Sequence, residues 1–176
     1  MKKTTLLFLI LFPVSYLFSQ HTYVGVQVCS PCHKTEKQGT QLDHWQKSKH
    51  SQAYEILKTE AANNIAKEKG FSTPAVETEA CLKCHATGYN LEAAMLGEKF
   101  KVEEGVQCET CHGPGSDYKN MKIMKSHEES VANGMIEITD LEAFCKTCHN
   151  PESPTFKERP VSEMWEEIKH LVTEKK

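Results

Sequence analysis

Apolar residues cluster at one place in this chain and are thinly spread elsewhere. From Leu6 to Phe18 they run almost unbroken, with Lys2 and Lys3 ahead and Ser19-Gln20 behind. That is the pattern of an export signal, and it is shorter than the roughly 20 apolar residues of a bilayer span. We read 1–20 as a signal peptide and 21–176 as the mature domain, with an uncleaved membrane anchor as the alternative. Residues 40–69 are rich in Gln, Lys, Glu, Ala and Leu, contain no proline and stop at Gly70, which predicts a helix. His50, Ala53, Tyr54 and Leu57 fall at i, i+3, i+4 and i+7 and share its apolar face. His44 lies about 120° from that face at 3.6 residues per turn, towards solvent or a rim. Gly113-Pro114-Gly115 predicts a tight turn, and beyond it Met121, Met124 and His127 recur every third residue as one face of a short helix. Thr139-Asp140-Leu141-Glu142 is a capping box that opens another. After a proline-containing loop over 150–160, Ser162 is expected to cap a last helix that turns Trp165, Ile168 and Leu171 inward and His170 away. No stretch alternates like a strand, so the fold class is mainly α.

Composition narrows this picture. A chain of 176 residues with 39% hydrophobic residues and a mean hydropathy of −0.53 is lean for a packed core; something other than side chains must fill the middle. Residues 1–20 hold two lysines and no acid, so their loss takes the formal net charge from −3 to −5. A mildly acidic surface excludes nucleic acid as a partner, and the lysines at 119, 122 and 125 read as a solvated face.

The eight cysteines change the picture most. They form four pairs, Cys29/Cys32, Cys81/Cys84, Cys108/Cys111 and Cys145/Cys148, each spaced C-x-x-C. Such pairs suit disulfides, zinc ribbons or iron–sulfur ligation. Every pair, however, is followed at once by histidine: His33, His85, His112 and His149. With 9 histidines in 176 residues, chance would do this about 7 times in a million. The combination is c-type haem attachment: two thiols form thioethers to the porphyrin edge, and the next residue lies beneath the iron as its proximal ligand. The expected cofactors are four haem c groups, with helices and loops wrapped around them in a small multihaem cytochrome c. Motif starts are 52, 27 and 37 residues apart, which shows no tandem repeat and suggests that the second and third haems are near neighbours.

The stretches "YVGVQVCSPCH", "WQKSKHSQAY", "CLKCHATGY", "GVQCETCHGPG", "CKTCHNPESPTF" and "WEEIKH" follow one another in the order of the cytochrome c-554 family of exported tetrahaem cytochromes, which the chain resembles over most of residues 23–170. The resemblance implies that His50 is a distal iron ligand, which we expect opposite His112, and that His170 is another. It also implies that the second haem, with His85 proximal, is five-coordinate, and neither 51–80 nor 86–107 contains a histidine. Where many relatives carry an early histidine after the glycine-proline-glycine turn, this chain has Ser116-Asp117-Tyr118. His127 is the first candidate there, and Met124 the second, since a His/Met pair is also common haem ligation. His21 and His44 read as a free end and a surface residue.

These readings point to an exported, periplasmic electron carrier with no separate catalytic residues. Its expected partners are redox proteins, with a membrane-bound quinol oxidase or another cytochrome as candidates. One alternative is a small reductase acting on a diatomic ligand such as nitric oxide at an open iron site. A weaker one is a docking subunit of a respiratory complex.

Overall fold

Short helices joined by turns carry the chain through residues 21–170, which the computed structural model describes; the signal segment and Leu171 lie outside the described residues. The helices are α1 (Val26–His33), α2 (Gln41–Lys47), α3 (Ala53–Ile56), α4 (Glu60–Glu68), α5 (Glu79–His85), α6 (Cys108–His112), α7 (His127–Ala132), α8 (Leu141–Lys146) and α9 (Val161–Ile168). Among the described residues the only β pairing is an isolated bridge between Tyr23 and Leu96. Helices this short are marginal alone, so their order comes from bonds between distant segments.

The long helix expected over 40–69 is broken into pieces. Ser48 adopts an extended backbone (φ −79, ψ 159), and its hydroxyl donates to the Trp45 carbonyl. Thr59 is extended too and caps α4 by accepting from the Ala62 N–H. Both hydroxyl residues offer the backbone an alternative to the helical ladder, and the interruptions let the segment bend. The apolar face expected within it persists in part, since Leu57 is 4% exposed. The Met121–His127 helix is also absent: Asn120 to Lys125 forms turns and α7 begins only at His127, because Ser126 caps it by accepting from the Glu129 N–H. α8 opens where the capping box lies but one residue later than the box predicts, since Asp140 rather than Thr139 is its N-cap and accepts from the Ala143 N–H. Ser162 caps nothing, since α9 starts one residue earlier, directly after Pro160.

The interior is as thin as the composition implies. Among the described residues the buried hydrophobics are Val24, Val26, Leu57, Ala66, Ala75, Ala86 and Tyr118, and Leu57, Ala66 and Ala75 form one small cluster. The largest fully buried side chain is a glutamate, Glu109, in the third cysteine motif. Its Oε1 accepts from the N–H of Val24 (2.8 Å) and of Gly115 (2.7 Å), and its Oε2 from the N–H of Gly25 (2.8 Å) and of Val24 (3.1 Å). Gly25 can take part because it has φ 85 and no Cβ, which would sit 2.7 Å from the Lys99 carbonyl oxygen. Next to the cradle, the Tyr118 hydroxyl donates to the Gly113 carbonyl at 2.8 Å.

Removing this carboxylate strands three buried N–H groups. Glu109→Ala is expected to destabilise the protein by about 4 kcal/mol, and Glu109→Gln by about 2 kcal/mol, since the amide keeps one acceptor and turns a donor toward donors. Urea unfolding followed by far-UV circular dichroism measures both. Wild-type midpoints for the two variants would show that the cradle holds nothing together.

Candidate haem-attachment site

Each C-x-x-C-H motif starts on a helix: the first ends α1, the second ends α5, the third is α6, and the fourth begins at the end of α8 and finishes in the turn after it. A helical turn places the two cysteines on neighbouring positions of one surface, with the histidine immediately beyond. None of the eight cysteines is joined to another in a disulfide. Cys29 and Cys108 lie within hydrogen-bonding reach of each other, as do Cys84 and Cys148. The first motif therefore meets the third, and the second meets the fourth. The second and third are also joined, as their short spacing suggests, through the Thr87 and Thr110 hydroxyls (2.5 Å).

Residues 45–54 tie three of these motifs together. The Trp45 indole donates to the Val106 carbonyl (2.8 Å) and the Val106 N–H donates back to the His50 carbonyl (3.0 Å), just before the third motif. Gly105 makes the approach possible, because a Cβ there would lie 2.8 Å from the His50 carbonyl oxygen. The Ala53 carbonyl accepts from His85 Nδ1 at 2.7 Å, which fixes the tautomer and leaves Nε2 free for a metal.

Two histidine pairs face one another across gaps. His50 and His149 have ring centroids 6.1 Å apart, and His112 and His170 are 5.8 Å apart. Two imidazoles holding one ion from opposite sides, each through a bond of about 2 Å with the ring centre about 1 Å further on, have centroids about 6 Å apart. His170 Nδ1 is shut off from solvent without a hydrogen-bond partner, as an imidazole with an unfilled ligand bond would be. Desolvation is the main cause holding His50, His112 and His170 below the ordinary histidine range, His112 at about 4, with the neighbouring histidines adding to it. Neutral imidazole is the form that binds metal. The residues present therefore fit haem iron.

The partner of His50 differs from the expectation: it faces His149 rather than His112, because the bend at Ser48 turns residues 50–53 toward the second and fourth motifs. His170 does face a motif histidine although the helical period turned it away. α9 ends at Ile168 and Lys169 is extended (ψ 139), so the period does not apply to His170. His127 opens α7 as an exposed side chain 3.9 Å from Glu137, and Met124 is 37% exposed. His33 Nδ1 bonds Gln41 Oε1 at 3.3 Å. His21 pairs with Asp117 at 2.8 Å, and His44 is exposed. Sequence reasoning missed Gln41, Ala53 and Thr87; the Ala53 contribution is a backbone carbonyl and leaves no side-chain signal.

A cleft of about 220 Å³ lies between the second and fourth motifs, lined by Cys84, Cys148, Thr87, Tyr89 and Thr110. Burial raises the Cys84 and Cys111 thiols to about 11, the reverse of what a nucleophilic or disulfide-exchanging C-x-x-C needs.

A mainly helical chain with four helix-borne C-x-x-C-H motifs and facing histidines is a small multihaem c-type cytochrome. Residues 28–113, which contain the first three motifs and His50, match the family model described as cytochrome c554 and c-prime, and across that span the chain is similar to that family. It is 33% identical over 101 residues to cytochrome c-554 of Nitrosomonas europaea, an alignment covering 55% of this chain and 40% of that protein. The chain thus spans about two-fifths of the curated relative's length. No solved structure matches it. The match fits covalently bound haem c, the chemistry of this class of protein. Among the described residues no helix is long and apolar enough to cross a membrane.

Thr87 Oγ1 accepts from the buried Gln107 N–H at 2.8 Å besides bonding Thr110. Thr87→Val keeps the shape and removes these two bonds together with the one the hydroxyl donates to the Gly105 carbonyl at 3.1 Å, and should lower stability by about 2 kcal/mol. An unchanged urea midpoint for the holoprotein would exclude Thr87 as the link between the motifs.

Proposed function

We propose that the protein is an exported, periplasmic tetrahaem c-type cytochrome that carries electrons between redox proteins. When bound, each haem supplies one-electron chemistry at its iron. The chain attaches the groups through Cys29/Cys32, Cys81/Cys84, Cys108/Cys111 and Cys145/Cys148. His33, His85, His112 and His149 hold them on the proximal side. His50 completes the ligation opposite His149, and His170 does so opposite His112. The observation that carries this reading is the pair of histidine gaps of 6.1 and 5.8 Å. For the first haem the distal candidates remain His127 and then Met124. Partners of the right chemistry include a membrane-bound quinol oxidase or a second cytochrome.

A second reading, reduction of a nitric oxide-like ligand at an open second haem, is favoured by His85. Its Nδ1 is held by the Ala53 carbonyl, and no histidine ring faces it among the described residues. Hydroxyls from Thr87, Tyr89 and Thr110 border the cleft beside its motif.

Denaturing mass spectrometry is expected to give the cleaved chain plus four haems; zinc or disulfides in their place would sink the proposal. In low-temperature electron paramagnetic resonance of the oxidised protein, His50→Ala should turn the haem at Cys145/Cys148 from low-spin to high-spin. His170→Ala should do the same at Cys108/Cys111. An unchanged low-spin count in either variant would reduce that histidine to packing. Carbon monoxide added to the reduced protein should shift one haem in four, and four unreactive haems would leave a pure carrier.

A further inference from the structure

Two carboxylates border the third motif, and their surroundings are opposite. Both oxygens of Glu109 are filled by backbone N–H groups. Glu104, on the 3-10 turn Val102–Glu104 that leads into the motif, has its Oε2 shut off from solvent without a donor. Hydrogen bonding from the Val26 backbone and the Gln27 side chain on α1 favours its charged form but leaves Oε2 unmet, so it lies between the helix of the first motif and the segment of the third. Its charge is felt at Cys108. A buried acceptor with no donor is costly, whereas a protonated carboxyl carries its own donor and relieves that cost.

We propose that Glu104 is a proton-binding site coupled to the haem held through Cys108 and Cys111, taking up one proton as that haem takes up one electron. The proposal rests on the electron-carrier reading above. One electron from a redox protein partner converts the ferric iron to ferrous, and one proton from solvent converts the Glu104 carboxylate to the acid. The charge of the region is then unchanged. The physical cause is Coulombic: an added electron near a half-desolvated carboxylate repels its negative charge, and proton uptake removes the repulsion.

The groups around Glu104 permit this. On its own segment Lys101 favours the carboxylate and Glu103 opposes it. Lys58 lies near enough to feel the charge of Glu103. Of the packed elements, α1 carries Cys29, Cys32 and His33, α3 carries Tyr54 and Glu55, and α6 carries Cys108, Glu109, Cys111 and His112. Burial is the largest influence and pushes the Glu104 carboxyl above the usual range. The acid form is therefore favoured at low pH, and the carboxylate appears as pH rises through this raised value.

The test is a spectroelectrochemical titration of the holoprotein between pH about 5 and 8. One of the potentials should fall as pH rises. Glu104→Gln, which mimics the acid, should flatten that slope and keep the potential at its low-pH value. Glu103→Gln on the same turn should leave the slope as in wild type. Reduced-minus-oxidised infrared difference spectra of the wild type should gain the carbonyl stretch of a protonated carboxyl, and Glu104→Gln should lose it. A slope that survives in Glu104→Gln, or a wild-type difference spectrum without the carboxyl band, overturns the proposal. Haems that do not reduce at all would instead overturn the electron-carrier reading.

Discussion

A carboxylate withdrawn from water must be met by donors, and this chain meets its most deeply buried one with its own backbone. Glu109 lies within the third motif, and its oxygens collect N–H groups from Val24, Gly25 and Gly115. Because an unsatisfied buried carboxylate is so costly, the segment before α1 and the turn after α6 have to converge on it. That convergence sets α1 against α6 and brings Cys29 to Cys108. It also explains two glycines: Gly25 turns with φ 85 beneath the Lys99 carbonyl, and Gly113 leaves α6 with φ 76 where a Cβ would lie 2.9 Å from the Gly134 carbonyl oxygen. A chain with so few buried hydrophobics leans on such directional bonds, whose geometry is specific where apolar contact is not.

The same economy governs residues 45–54. A continuous helix there would present one face in one direction. Interrupted at Ser48, the segment sends the His50 ring toward His149, the His50 carbonyl to the Val106 N–H and the Ala53 carbonyl to His85. One short stretch thus serves the second and fourth motifs and the approach to the third. Attachment through thioethers makes this workable, since the cofactors need no deep pocket to be retained.

What was legible in the sequence was the chemistry that is local in the chain. The four motifs read directly because attachment demands two thiols and an imidazole within five residues. The apolar face containing His50 was legible in part, but the histidine it faces was not, because the Ser48 and Thr59 interruptions depend on hydroxyl-to-backbone bonds that compete closely with helix. Periodicity turned His170 away from the apolar face while the resemblance kept it as a ligand candidate, and nothing in "EEIKH" announces that α9 ends at Ile168. Glu109 was invisible for another reason: it occupies a variable position of a motif, and its partners are backbone groups as many as 85 residues away in sequence.

Polar satisfaction fails in this structure in a patterned way. Among the described residues three buried side-chain atoms lack a hydrogen-bond partner: Glu104 Oε2, Gln107 Oε1 and His170 Nδ1. Each orphan costs on the order of 1–3 kcal/mol, which is large for a chain with so small a core. Gln107 immediately precedes Cys108, Glu104 is felt at Cys108, and His170 faces His112, so all three border the third motif. Elsewhere among the described residues the buried side-chain polar atoms are satisfied, and beside this motif both oxygens of Glu109 are filled. Local rules broken at one place while the surroundings over-determine the geometry are the mark of a site kept for function. The saturated carboxylate holds the third motif in position, and the three unsatisfied atoms lie around it.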